Sequence, residues 1–165
     1  MHTLQIMLVE ADSAEDAIGE AEARSGYSSD ESGNSPDWSD WHVVGGRWEG
    51  HFEGSNALKY ADNLTLAEDT IKEALLRRKA EMERLREEAN FEALATAVDN
   101  YDPDNPVLSM EVWSAKKLAE MVLGFWTPDS AVFDLHDYTA GLKYFRDRLE
   151  KDYEKQYLVA VDFHF

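Results

Sequence analysis

Apolar and polar residues alternate with a period of two from Thr3 to Val9: Leu4, Ile6 and Leu8 fall on one face, Thr3, Gln5, Met7 and Val9 on the other. That period predicts a strand, and apolar side chains on both faces predict that both are at least partly covered. The clearest strand pattern closes the chain. Tyr157, Val159, Val161, Phe163 and Phe165 face one way; Leu158, Ala160, Asp162 and His164 face the other. Shorter strands are expected at Trp41–Val44 and Ala131–His136.

Between them the spacing is helical. Ser13-Ala-Glu-Asp16 carries a hydroxyl N-cap and acids for a first turn, and Ala14, Ala17, Ile18 and Ala21 form a narrow stripe that ends near Ser25-Gly26. Thr65-Leu-Ala-Glu68 is a capping-box pattern opening a helix to about Val98, with Ile71, Leu75, Met82, Leu85 and Ala89 on one stripe and Arg78 interrupting it. Such a helix would be roughly 50 Å long, so a break near Asn90, a projecting helix or pairing with a second copy is expected. Further helices are expected at Val112–Phe125 and Thr139–Asp152. The first would be capped by Ser114 and turn Leu118, Met121, Val122 and Phe125 inward; the second would bury Leu142, Phe145 and Leu149.

Turn chemistry separates these elements. Residues 25–37 hold five serines and two glycines without an aliphatic residue, and predict a mobile loop. Gly45-Gly46 predicts either a two-residue hairpin turn or a bulge where another group approaches the backbone. Further turns are expected at Gly54-Ser-Asn56 and Asn100–Pro106. The order of elements predicts one α+β domain over 1–165, an antiparallel or mixed sheet with helices packed on one face. Its connections are expected to be ferredoxin-like split βαβ units, plus one long helix.

Charge changes this picture more than composition does. The 165 residues carry 34 acids and 16 bases, a net charge of −18, with 44% hydrophobic residues, enough for a core. Residues 1–64 hold 13 of the acids against Arg24, Arg47 and Lys59. This field opposes direct binding of DNA, RNA or anionic membranes. It serves solubility on the plain reading, and on the sharper one presents an acidic face to a basic partner. No cysteine is present, which excludes a disulfide scaffold, a thiolate nucleophile and cysteine-ligated metals. No apolar run is long enough to span a bilayer, and the first residues lack the pattern of a secretory signal. A cytoplasmic protein is expected.

Three clusters could carry chemistry. Trp38, Trp41, His42, Gly45, Gly46, Arg47 and Trp48 combine flat stacking faces, a guanidinium fork and accessible backbone, the parts of a small-ligand or nucleotide pocket. The competing reading makes Trp41 and Trp48 core anchors, the glycines a turn and Arg47 an ion-pair partner. No phosphate-loop spacing is present. The second cluster is Asp134 and His136 on one strand with Asp162 and His164 on another. If those strands were neighbours, they would offer a metal site or an Asp–His acid/base dyad, against the plain reading of a solvated polar sheet face. The third, Arg77-Arg78-Lys79 with Arg84 and Arg86, is interleaved with glutamates and reads as an ion-paired face. No cofactor is expected, and no GxSxG or HExxH motif supports catalysis.

The strings Asp40-Trp-His-Val-Val-Gly-Gly-Arg-Trp48 and Tyr157-Leu-Val-Ala-Val-Asp-Phe-His-Phe165 resemble small bacteriophage-encoded proteins with a D-W-x-x-x-G-G-R-W stretch and a closing hydrophobic-D-F-H segment. The resemblance implies a setting inside a bacterial host and no particular activity. The leading expectation is a non-catalytic binding protein that engages a host factor, such as a nucleic-acid-handling or defence enzyme. Asp30, Glu31, Asp37 and Asp40 would meet a basic surface, and any exposed tryptophan would act as an anchor. The alternatives are a ligand- or nucleotide-sequestering protein and an Asp/His or metal-dependent enzyme; self-association would run through the long helix.

Overall fold

The structure, a computed structural model, describes residues 2–25, 41–101, 112–123, 132–133, 147 and 149–164. The 26–40 stretch, with Trp38 and the four candidate partner-binding acids, lies outside them. So do most of the 100–106 turn, the Asp134/His136 pair and most of the expected 139–152 helix, of which 147 and 149–151 are described and helical.

Two nine-residue strands, β1 (His2–Glu10) and β5 (Gln156–His164), form the centre of the sheet. They pair antiparallel over their full length, from His2 opposite His164 to Glu10 opposite Gln156. β4 (Val132–Phe133) lies parallel to β1 on its far side. The other side of β5 is shared. β2 (Trp41–Val44) pairs with residues 161–164 and β3 (Ala57–Lys59) with residues 157–159. The two short strands thus act as one edge strand interrupted by an excursion at 45–56. Both ends of that excursion close on Ala160: Gly45 N–H donates to its carbonyl and its N–H donates to the Asn56 carbonyl, each at 2.9 Å.

The class is α+β with an antiparallel-dominated mixed sheet and helices packed against it. The expected single helical face is corrected: helices cover both. Met7, Val9, Val159, Val161 and Phe163 meet Ala17 and Ala21 of α1 (Ala14–Ser25). Ile6, Leu8, Leu158 and Ala160 meet Ala67, Ile71 and Ala74 of α2 (Leu64–Glu88). The cause is visible in the strands. β1 and β5 are apolar at odd and even positions alike, so either face left bare would expose several side chains, each stabilised by about 1.5–3 kcal/mol on burial.

α1 starts as its sequence predicts, the Ser13 hydroxyl accepting from Asp16 N–H at 3.1 Å. For α2 the cap is Asn63 rather than Thr65: its side-chain oxygen accepts from Leu66 N–H at 3.0 Å, and asparagine caps at least as well as threonine. The expected break occurs. α2 stops at Glu88, and Asn90 caps α3 (Phe91–Asp99) by accepting from Ala93 N–H at 2.8 Å. α4 (Trp113–Leu123) packs along α2. Ser114 lies inside α4 rather than capping it, and Val122, expected inward, is exposed; Lys117 is buried instead.

Candidate functional site

At the start of β1 and the end of β5, the pairing of His2 with His164 and of Trp41 with His164 lines three rings across three strands. Directly opposed residues share a sheet face. The His164 ring stacks on Trp41 with centroids 5.5 Å apart and planes 4° from parallel. The His2 ring meets both edge-on, 5.3 Å from Trp41 and 4.9 Å from His164.

One step inward along β5 sits Asp162, only 1% exposed. A buried carboxylate must be bonded from several sides. His2 Nδ1 lies 2.9 Å from one oxygen and 3.2 Å from the other, and the Arg47 backbone N–H donates to Oδ2 at 3.1 Å. The His2 ring and the Arg47 N–H, from two segments far apart in sequence, thus meet on one carboxylate.

The glycine pair makes this contact possible. Gly45 and Gly46 have φ of 77° and 56°, and a Cβ on Gly46 would lie 2.6 Å from Asp162 Cβ and Oδ2. Of the two expectations for Gly45-Gly46, the close approach of another group to the backbone is observed, within a turn rather than a two-residue hairpin. The turn continues as a short 3-10 segment, Gly46–Trp48, that projects the Arg47 side chain outward, where it joins no ion pair among the described residues. Gly45 itself approaches Asn56, whose side chain accepts from Gly50 N–H at 2.7 Å and holds the excursion closed.

The first candidate cluster therefore divides. Gly46 and the Arg47 backbone converge on Asp162, and Trp41 joins them through the His2 and His164 rings. His42 lies on the opposite sheet face against Phe163, half-buried, and desolvation lowers its pKa against the raising influence of Glu22. Trp48 is half-buried and Gly45 is structural. The core-anchor reading fails for Trp41, which is 43% exposed: its edge strand has no further described strand beside it to cover the indole.

The second cluster also changes. β4 and β5 lie on opposite sides of β1, so the strands expected to bring Asp134 and His136 beside Asp162 and His164 are not neighbours. Among the described residues no group of three histidine or acidic side chains could hold a metal ion. His2 takes the place of Asp134 and His136. Sequence reasoning missed it because it stands just before the alternating Thr3–Val9 run, although in-register pairing of the two long strands sets it opposite His164.

The third cluster is structural. Arg84 bonds both Glu81 and Glu88, and Lys79 lies 3.7 Å from Glu83. Arg78, which interrupts the apolar stripe, reaches across to α4 and donates to the Met121 carbonyl at 3.1 Å.

Described acidity gathers elsewhere. Glu10, Asp12, Glu15, Asp16 and Glu20 line an open concavity of about 490 Å³ where β1 runs into α1. Two bases answer it at its rim, Lys155 at 2.8 Å from Asp12 and Arg24 at 2.9 Å from Glu20. Glu10, at this concavity, stands eight residue steps along β1 from His2, about 27 Å at strand rise. The aromatic cluster and this acidic concavity are thus two places; the acids expected beside the tryptophans, Asp30, Glu31, Asp37 and Asp40, lie outside the described residues. No described helix is long and apolar enough to cross a membrane. Comparison with protein-family models, curated proteins and solved structures finds no match.

Proposed function

We propose that this chain is a binding protein for a small ligand with a flat ring, taken up at the Trp41–His164–His2 end of the sheet. The observation that carries the reading is the exposed indole of Trp41, fixed in place by a parallel imidazole and an edge-on one. An aromatic face that is both rigid and solvent-accessible loses little entropy when a second ring stacks on it. Arg47, exposed on the adjoining turn, adds a planar donor fork. The test is a nuclear magnetic resonance titration with flat heteroaromatic fragments. Fragments should shift the Trp41 indole N–H and the His164 ring protons, and Trp41→Ala should remove the response at His164 while the fold is retained. Shifts scattered over other parts of the surface would sink the reading.

A second reading, from the leading sequence expectation, is engagement of a basic host factor in the bacterial cytoplasm. What favours it is the five-carboxylate concavity at the β1–α1 junction. Affinity for such a partner should fall as salt rises from low to several times physiological strength. The ferredoxin-like assignment belongs here too. The β5-β1-β4 order, with β1 parallel to β4 and antiparallel to β5, supports it, whereas β2 beside β5 departs from that arrangement. Self-association is proposed through the α2–α3 region, where Phe91 and Val98 are exposed.

A further inference from the structure

We infer that the ligand of the Trp41 site is a nucleoside monophosphate, an inference that rests on the flat-ligand reading above. Two features select it. First, the ring platform and a cationic fork are joined by short links: Trp41 to His2 at 5.3 Å between centroids, His2 to Asp162 at 2.9 Å, and Asp162 to the Arg47 backbone at 3.1 Å. A flat base stacked on the indole thus has Arg47, whose backbone is tied to the same carboxylate and whose side chain is exposed, on the neighbouring turn. Arginine suits phosphate because its donors match two oxygens at once. Second, Arg47 is one of only three bases in residues 1–64, yet it is spent on no carboxylate among the described residues. The buried Asp162 accepts from its backbone and leaves its side chain to solvent.

The surrounding charge limits the ligand to one phosphate. Arg47 is a single exposed guanidinium on the turn beside the platform, in a chain of net charge −18. A first phosphate gains a bidentate partner; a second and third meet only the negative field. The usual trend, in which affinity rises with phosphate number, is therefore reversed here.

The experiment uses the full chain at pH 7.5 in moderate salt, without magnesium. The Trp41 indole resonance, assigned with Trp41→Phe, is followed during titration with adenosine, adenosine monophosphate, adenosine triphosphate and inorganic phosphate. The monophosphate should bind about tenfold more tightly than adenosine, equivalent to about 1.4 kcal/mol, and the triphosphate no more tightly than the monophosphate. Arg47→Gln should bring the monophosphate to the level of adenosine and leave adenosine unchanged. Equal binding of adenosine and the monophosphate would overturn the phosphate assignment while leaving the stacking platform standing. Tighter binding of the triphosphate would overturn the limit to one phosphate. No response of Trp41 to any of the nucleosides or nucleotides would overturn the inference; the heteroaromatic fragments then decide separately whether the platform survives.

Discussion

Among the described residues, one lysine and one aspartate are almost wholly buried in different parts of the molecule, and they are held in different ways. Lys117, 5% exposed, lies between α4 and α2 with its ammonium 3.7 Å from Glu81 and 4.7 Å from the centre of the Trp113 ring. Asp162 is bonded by residues from the start of β1 and from the turn after β2. The lysine is a local matter between two neighbouring helices. The aspartate ties together segments far apart in sequence, and its partners lead outward to an exposed tryptophan and an exposed arginine. Burial of charge does not by itself mark a site; what marks one is burial that arranges groups at the surface.

If that contrast is sound, removing the aspartate should do the most damage. Asp162→Ala leaves the Arg47 N–H without its acceptor and frees the His2 ring, so a loss of about 3 kcal/mol in urea unfolding is expected. The turn at 46–48 should loosen with it, measured as faster amide exchange at Arg47. Unchanged exchange there would mean that Asp162 does not organise the turn.

Gly46→Ala attacks the same contact from the other side. The added Cβ would meet Asp162 at 2.6 Å and the Val43 side chain at 2.9 Å, on a backbone with φ of 56°. Strain and overpacking together should destabilise by about 2 kcal/mol. Unlike most surface-turn substitutions, it should also disturb the His2 ring signals, because the carboxylate has to move. Stability within about 0.5 kcal/mol of the parent would show that the turn yields without the carboxylate.

A smaller effect comes from pH and separates the edge strand from its excursion. Desolvation lowers the pKa of His42, and desolvation followed by Arg77 lowers that of His51 in the excursion. Both rings take up a proton more readily in the unfolded chain, whose histidines titrate near 6.5. Stability is therefore fully present above that value and declines as pH falls through it towards the lower folded values. Thermal midpoints recorded between pH 8 and 5 should fall, and His42→Gln or His51→Gln should each flatten part of the slope. A slope unchanged in both variants would assign the loss to other groups.

The same contrast explains what could be read from the chain alone. Strands β1, β2 and β5, the Ser13 cap and the interruption at Asn90 were legible because each rests on a local pattern. Helices on both faces were implied by the double-sided apolarity of β1 and β5, but the order of elements favoured one face. The Asp162 site was legible only in part. Gly45-Gly46 announced that some group comes close to the backbone, yet which group depends on strand order and register. Pairing Asp162 with the wrong strand followed from assuming that β4 and β5 are neighbours. The Arg78 interruption carried information of another kind: a guanidinium on an apolar stripe reaches a facing helix carbonyl, which no spacing rule within one helix reveals.

Lys117 gives the complementary test, with the smallest expected effect. Burial lowers its pKa, Glu81 acting in the opposite direction and Arg84 in the same one. Glu81 does not depend on the lysine: Arg84 bonds it and is the main reason its carboxyl is held below the usual range. Replacing Lys117 by methionine thus removes a partly desolvated charge, leaves Glu81 with its arginine and keeps a long flexible chain against Trp113. Buried pairs replaced by apolar groups of similar volume are often neutral or stabilising. Lys117→Met should therefore leave the urea midpoint unchanged or raise stability by up to about 1 kcal/mol, with Trp41 and His2 signals unmoved. A loss above about 2 kcal/mol would mean that the α2–α4 contact depends on its charge as strictly as the sheet end depends on Asp162, and the distinction between the two burials would disappear.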